Sequence, residues 1–214
     1  MYSNIFDNLN TNIIYMDDLL NKHFCFNYCF CEGRTGNGIE LINAYSSFFY
    51  ILPAILMLLH PTYKPNTHTY WLFFLLVSLA FSSFYFHYYM HILGSHCDNL
   101  SILLILVSFI FYRYSIINTI FIYIAIFISL YLLKQLNVLL TIFVIVYFVY
   151  YFYKTAKKHH KINRLFYQIN LLFIVSVCVW IHDYNFDYIC VHWLWHILTA
   201  ILFYLLYVWF RTIH

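Results

Sequence analysis

Charged side chains are scarce in this chain. Lys, Arg, Asp and Glu together make up 9% of its 214 residues, against roughly 25% in an ordinary soluble domain, and so few charges cannot coat a soluble globule of this size. Glycine and proline are also rare, with 4 and 3 residues, which excludes collagen-like and flexible-linker compositions. A hydrophobic content of 64% excludes intrinsic disorder. The class that remains is a polytopic membrane protein.

Seven apolar runs approach the ~20 residues that a helix needs to cross a bilayer. They are predicted at residues 39–60, 70–93, 98–113, 115–133, 137–153, 165–182 and 190–210. Pro53 predicts a kink in the first helix. Arg113 separates the third run from the fourth, because a charge at mid-membrane costs about 2.5–3.5 kcal/mol; the count falls to six if they are one helix. We predict an all-α, seven-helix transmembrane domain at 39–214, after an extramembrane segment at 1–38.

The positions of the charges predict an orientation. If the N-terminus is outside, the cytoplasmic loops and tail hold eight of the 11 Lys and Arg residues, as the positive-inside rule requires. The acids fall on the outer side instead, at Asp7, Asp17, Asp18, Glu32, Asp98, Asp183 and Asp187, with Glu40 at the outer end of the first helix. We therefore predict a multi-pass integral membrane protein with its N-terminus outside and its C-terminus cytoplasmic. The pattern does not identify the host membrane.

Histidine, with 12 residues, is more frequent than either charge sign. Two pairs with i,i+4 spacing lie inside predicted helices: His87 with His91, and His192 with His196. Residues four apart share a helix face. The second helix ends outside and the seventh begins outside, so the two pairs are predicted at the same depth. Single histidines in membrane helices also serve as interhelical hydrogen-bonders, and this interpretation stays open for His91.

The combination of residues near these pairs is typical of a zinc hydrolase. Three imidazoles with an open fourth position are a ligand set of catalytic zinc. Ser83, one turn before His87, would donate a hydrogen bond to an oxyanion, and Asp98 would act on the water. An unbroken helix would separate His87 from Asp98 by ~16 Å, so we predict a turn at 94–97, where Gly94 favours one. A bis-His haem between the second and seventh helices is the alternative.

Three segments resemble the alkaline ceramidase family, within the seven-helix membrane hydrolase superfamily that includes the adiponectin-receptor-like proteins. The first segment begins Cys31-Glu32-Gly33-Arg34-Thr35-Gly36 and continues to Glu40, Asn43 and Ser46, in a form closer to the bacterial-type branch. The second is Ser83-Phe84-Tyr85-Phe86-His87 followed by Asp98, similar to the motif S-x3-H…D. The third is His192-Trp193-Leu194-Trp195-His196, similar to H-x-x-W-H. These segments extend over most of the predicted domain.

The resemblance implies a zinc-dependent hydrolase of the membrane that cleaves the amide bond of ceramide-like lipids to a sphingoid base and a fatty acid. It implies zinc ligands at His87, His192 and His196, and catalytic roles for Asp98 and Ser83. No nucleic-acid partner is predicted, because a net charge of +3 is small and no basic stripe interleaves with aromatic residues. No protein partner is predicted either. A non-catalytic, receptor-like member of the same superfamily is a second alternative to the hydrolase.

Other implications of the resemblance meet departures in this chain. A calcium site is implied at Glu32 and Glu40, but Arg34 stands where the family has an asparagine and would repel a cation. Asp183 fits the aspartate of an R-x-x-D motif in the bacterial-type branch, whereas Trp180 stands at the position of the arginine.

The cysteines have two interpretations. Cys31 and Cys190 both fall on the predicted outer side, so a disulfide tether between them is one interpretation. A reduced, buried cysteine is the simpler one.

Overall fold

The computed structural model describes residues 40–112, 137–159, 164–186 and 189–213. Within these ranges the chain forms helices and no strand. The long helices are α1 (Leu41–Leu58), α2 (Thr67–Tyr89), α3 (Ile92–Ile110), α4 (Asn137–Lys158), α5 (Arg164–Asn185) and α6 (His192–Ile213). The all-α prediction is therefore confirmed for the described part of the chain.

Five of the described helices are long and apolar enough to cross a membrane. They are α1, α2, residues Leu93–Ile110 of α3, residues Arg164–Asp183 of α5, and α6. Their outer faces carry large apolar side chains, such as Phe74 at 61% and Leu171 at 65% exposure. Soluble proteins rarely expose contiguous apolar surface on this scale. The described helices are compatible with a multi-pass integral membrane protein.

The count of seven helices and the orientation stay predictions. The helix predicted at 115–133 and the segment predicted at 1–38 lie outside the described residues. Helix α4 has the length of a membrane span and is not among the five, which were sought only in the described residues.

Helix α1 changes its winding in the middle. It is α-helical over Leu41–Ser46, tightens to a 3₁₀ turn over Ser47–Tyr50, and is α-helical again over Ile51–Leu58. Pro53 has no N–H to donate to the carbonyl of Phe49, so the α-helical ladder is interrupted there. The local distortion agrees with the predicted effect of Pro53.

The chain reverses between α2 and α3 earlier than predicted. Helix α2 ends at Tyr89, Met90 takes the left-handed conformation with φ of 49°, and His91 is the N-cap of α3. The His91 ring accepts a hydrogen bond from the N–H of Leu93 at 3.2 Å. The predicted turn at 94–97 is wrong, because Met90 and His91 make the reversal with the capping residue supplied by histidine.

Gly94 has a packing role instead. It is buried within the first turn of α3. A Cβ at this position would lie 2.8 Å from Cα of Phe86 and 2.9 Å from its backbone nitrogen. Helices α2 and α3 therefore approach each other closely just after the turn, and the absence of a side chain permits this approach.

One end of the helix bundle is rich in buried polar side chains. Helix α2 packs against α1 and α3, α6 packs against α1 and α5, and α4 packs against α3. Large, fully buried side chains include Trp209, Tyr207, Phe210, Met57, Leu72, Leu76, Leu103 and Phe109. Nine of the buried polar side chains lie where α1 and α6 begin and α2 and α5 end: Glu40, Asn43, Ser46, Ser47, Ser83, His87, Asp183, His192 and His196. That end holds the candidate site.

The cysteines of the described residues differ in state. Cys190, just before α6, is disulfide-bonded, so a reduced cysteine is wrong for this position. Cys97 and Cys178 are free thiols. Cys31, the other half of the predicted tether, lies outside the described residues.

Candidate metal centre

Three buried histidines converge where α2 ends and α6 begins. His87, His192 and His196 are 0%, 3% and 1% exposed. One ring nitrogen of each lies within 4.8 Å of those of the other two, and the ring centroids are 4.8–5.1 Å apart. Among the described residues this is the group of His, Cys, Asp and Glu side chains that could hold a metal ion.

The helix geometry explains why these three histidines meet and His91 does not. His192 and His196 lie in the first turns of α6 on one face, since residues four apart point the same way. His87 lies in the last turn of α2, at the same level. His91 lies beyond the end of α2 and caps α3, so its pairing with His87 on one helical face is wrong.

Asp98 and Ser83 lie beside this cluster. Ser83 is 1% exposed, and its hydroxyl hydrogen-bonds to the Asp98 carboxylate. It also receives a hydrogen bond from the Ser47 hydroxyl at 3.0 Å. The Oδ1 atom of Asp98 is buried and has no hydrogen-bond partner. A buried carboxylate oxygen in this condition is suited to accept a hydrogen bond from a bound water.

The first turns of α1 contribute polar contacts that the histidine spacing does not reveal. Glu40 lies against His87, with Oε2 2.5 Å from Nδ1, and Ser46 lies 2.7 Å from Nδ1 of His196. The pattern E-x2-N-x2-S-S places these side chains near one face of a helix. This pattern is the sequence signal for Glu40 and Ser46. Only the family resemblance connects it with the histidines.

Asp183 fixes the start of α6. Its Oδ1 accepts hydrogen bonds from the N–H groups of Val191 at 2.6 Å and His192 at 2.9 Å. These N–H groups are among those that a helix leaves unpaired at its beginning. The carboxylate therefore holds the backbone of one histidine of the cluster in place from the end of α5.

The donor set fits a metal ion. Contacts with Glu40 and Ser46 occupy Nδ1 of two histidines, so Nε2 is the candidate ligand atom of each. Nε2 of His196 also lies 3.5 Å from the Ser83 hydroxyl oxygen. Carboxylates and hydroxyls that contact the other ring nitrogen usually orient histidine ligands of a metal. Three imidazoles suit zinc, copper, iron or nickel better than magnesium or calcium, which prefer oxygen.

The predicted calcium residues are only partly described. Glu32 lies outside the described residues. The Oε2 atom of Glu40 is in contact with two nitrogen atoms, Nδ1 of His87 and Nδ2 of Asn43, the latter at 3.0 Å. These contacts connect Glu40 with the histidine cluster.

Comparison with known proteins gives one partial similarity of note. An 81-residue stretch is 36% identical to alkaline ceramidase from Drosophila melanogaster. The match covers 34% of this chain and 28% of that protein. No family model matches the chain. The similarity supports the alkaline ceramidase family in general and offers no support for a closer relation to its bacterial-type branch.

Proposed function

We propose that this protein is a zinc-dependent amidohydrolase of the membrane that cleaves ceramide-like lipids to a sphingoid base and a fatty acid. The observation that carries the proposal is the convergence of three buried histidines with Asp98 and Ser83 at one end of an apolar helix bundle. The partial similarity to alkaline ceramidase points in the same direction.

Zinc is the metal that best suits this set of residues. His87, His192 and His196 provide three neutral nitrogen ligands, and catalytic zinc sites combine three protein ligands with an open position for water. When bound, zinc supplies a water with a pKa near 7 and polarises a carbonyl oxygen.

Asp98 is the proposed general base and acid. Its free Oδ1 atom would accept the proton of the attacking water and deliver it to the amide nitrogen as the C–N bond breaks. This transfer balances the reaction, because water adds a hydroxyl to the acyl carbon and a proton to the amine. A positioned base of this kind contributes roughly 10²–10⁴-fold to a rate.

Ser83 is the proposed donor to the carbonyl oxygen. Its oxygen receives a hydrogen bond from Ser47, so its own proton is available. Without substrate, the Ser83 hydroxyl donates this proton in a hydrogen bond to the Asp98 carboxylate. As negative charge develops on the carbonyl oxygen, the same proton is placed to stabilise it.

An apolar crevice beside the centre suits a hydrocarbon chain. It begins at Tyr50, whose ring lies 5.7 Å from that of His196, and it continues between α3, α4, α5 and α6. Phe148, Phe152 and Phe203 are among the apolar residues that line it. A lipid with its amide at the histidines would place a chain in this direction.

The haem alternative needs a flat space between two opposed histidines. Here three imidazole rings lie 4.8–5.1 Å apart, and Ser46, Ser47 and Tyr50 pack beside them. This arrangement favours one metal ion over a porphyrin.

Metal content and turnover test the proposal directly. The protein purified in detergent is analysed for metals, its absorbance spectrum is recorded, and it is then incubated with a fluorescent ceramide. We expect one zinc per chain and release of the labelled fatty acid. A Soret band without zinc refutes the hydrolase, and zinc without hydrolysis favours the receptor-like alternative.

A further inference from the structure

We infer that Glu40 is a positioning residue for the proposed metal ligand His87, acting through the direct contact of its carboxylate with the imidazole. The inference rests on the proposed metal centre and extends it to a residue that does not touch the metal. It assigns Glu40 a role in determining how tightly the centre holds zinc.

Two separate contacts join Glu40 to His87. The Oε2 atom lies 2.5 Å from Nδ1 of the imidazole, and the backbone N–H of Glu40 donates to the carbonyl oxygen of His87 at 3.1 Å. The start of α1 is thus fixed to the end of α2 at the position of the ligand. When Nδ1–H donates a hydrogen bond to the carboxylate, the imidazole takes the tautomer whose Nε2 carries the lone pair for a metal.

The surroundings hold this carboxylate in one position. Glu40 is 0% exposed, and Nδ2 of Asn43, one turn along α1, donates to Oε2 at 3.0 Å. Glu40 is the N-cap residue of α1, where the helix dipole favours a negative charge. A buried carboxylate is stable only when it is hydrogen-bonded or paired, and the imidazole and the amide provide these partners.

The charge of Glu40 distinguishes it from the other residue that orients a ligand. Ser46 contacts Nδ1 of His196 with a neutral hydroxyl. A carboxylate increases the electron density of the imidazole as well as orienting it. Loss of the charge at Glu40 should therefore weaken metal binding even when a hydrogen-bond acceptor remains.

Zinc affinity tests this role without reference to turnover. The wild type, Glu40→Gln and Glu40→Asp are made metal-free in detergent and titrated with zinc against a chromophoric chelator in calcium-free buffer. Leu41→Ala is the matched control, because Leu41 is the next residue of α1 and is 46% exposed. We expect the glutamine variant to bind zinc roughly 10- to 100-fold more weakly, the aspartate variant to recover part of the loss, and the control to bind within about twofold of the wild type.

Two results would overturn the inference. One is a Glu40→Gln protein that binds zinc as tightly as the wild type. The other is a wild type whose zinc affinity rises, on addition of calcium, by the same factor that the glutamine variant loses, because Glu40 would then act through calcium. A wild type that binds zinc but does not cleave ceramide refutes the proposed function and leaves the inference about Glu40 standing.

Discussion

At the scale of single residues, the centre depends on polar neighbours as much as on its histidines. Glu40 and Ser46 contact the Nδ1 atoms of His87 and His196. The common face of His192 and His196 was predictable, because their i,i+4 spacing lies within one helix. The same spacing was misleading for His87 and His91, because the helix ends between them. The contact between Glu40 and His87 was not predictable, since it joins residues 47 positions apart and depends on how α1 packs against α2.

The roles of His196 and Asp98 separate when each is replaced. His196→Ala should lose both zinc and turnover, because one of three ligands is missing. Asp98→Asn should retain zinc and lose roughly 10²–10⁴-fold in turnover, as expected for a general base. Zinc content and ceramide hydrolysis measured on the same preparation check this.

His91→Ala is the control for these variants, since His91 caps α3 and lies outside the cluster. It should retain zinc and turnover. Unchanged hydrolysis in Asp98→Asn would remove Asp98 from the mechanism.

At the scale of elements, the turn between α2 and α3 brings Asp98 back to the level of His87. The spacing of His87 and Asp98 predicts a turn, because an unbroken helix would hold them too far apart. The glycine at position 94 predicts that turn at 94–97. The reversal uses Met90 in the left-handed conformation, an uncommon choice for a residue with a side chain, and Gly94 allows the two helices to approach.

Gly94→Ala tests this close approach. The added Cβ would meet Cα of Phe86 at 2.8 Å, so α2 and α3 must move apart and Asp98 with them. We expect a loss of roughly 1–3 kcal/mol of stability, as for other overpacked sites, together with reduced turnover. Thermal unfolding and hydrolysis are the measurements.

Ser95→Ala, at the neighbouring position of α3, is the comparison for Gly94→Ala and should leave both quantities near wild type. Equal behaviour of the two variants would show that the backbone contact at Gly94 has no special role.

At the scale of the whole molecule, the all-helical membrane fold follows from composition, since 64% hydrophobic residues leave little surface for water. The exposed apolar faces of α1, α2 and α5 agree with this. The pairing of the helices does not follow from composition. Periodicity within one segment does not say that α6 packs against α1 and α5, because that choice depends on side-chain shapes distributed over the entire chain.

The predicted orientation is testable with terminal tags. In sealed, right-side-out membranes, added protease should remove a tag at the N-terminus and spare one at the C-terminus. The reason is the excess of Lys and Arg on the predicted cytoplasmic side. Disruption of the membrane by detergent should expose both tags, and protection of the N-terminal tag before disruption would reverse the orientation.

The position of the histidines near the ends of their helices determines how far water and the reaction products would have to travel. His87 is two residues from the end of α2, and His196 is four residues from the start of α6, or about 6 Å along the axis. Water entering the proposed centre from that end would therefore not have to pass along the length of the bundle. The carboxylate and the amine formed by amide cleavage would both emerge at the boundary where water begins. Their hydrocarbon chains stay in the leaflet, so no charged group has to cross the hydrocarbon interior before the next substrate arrives.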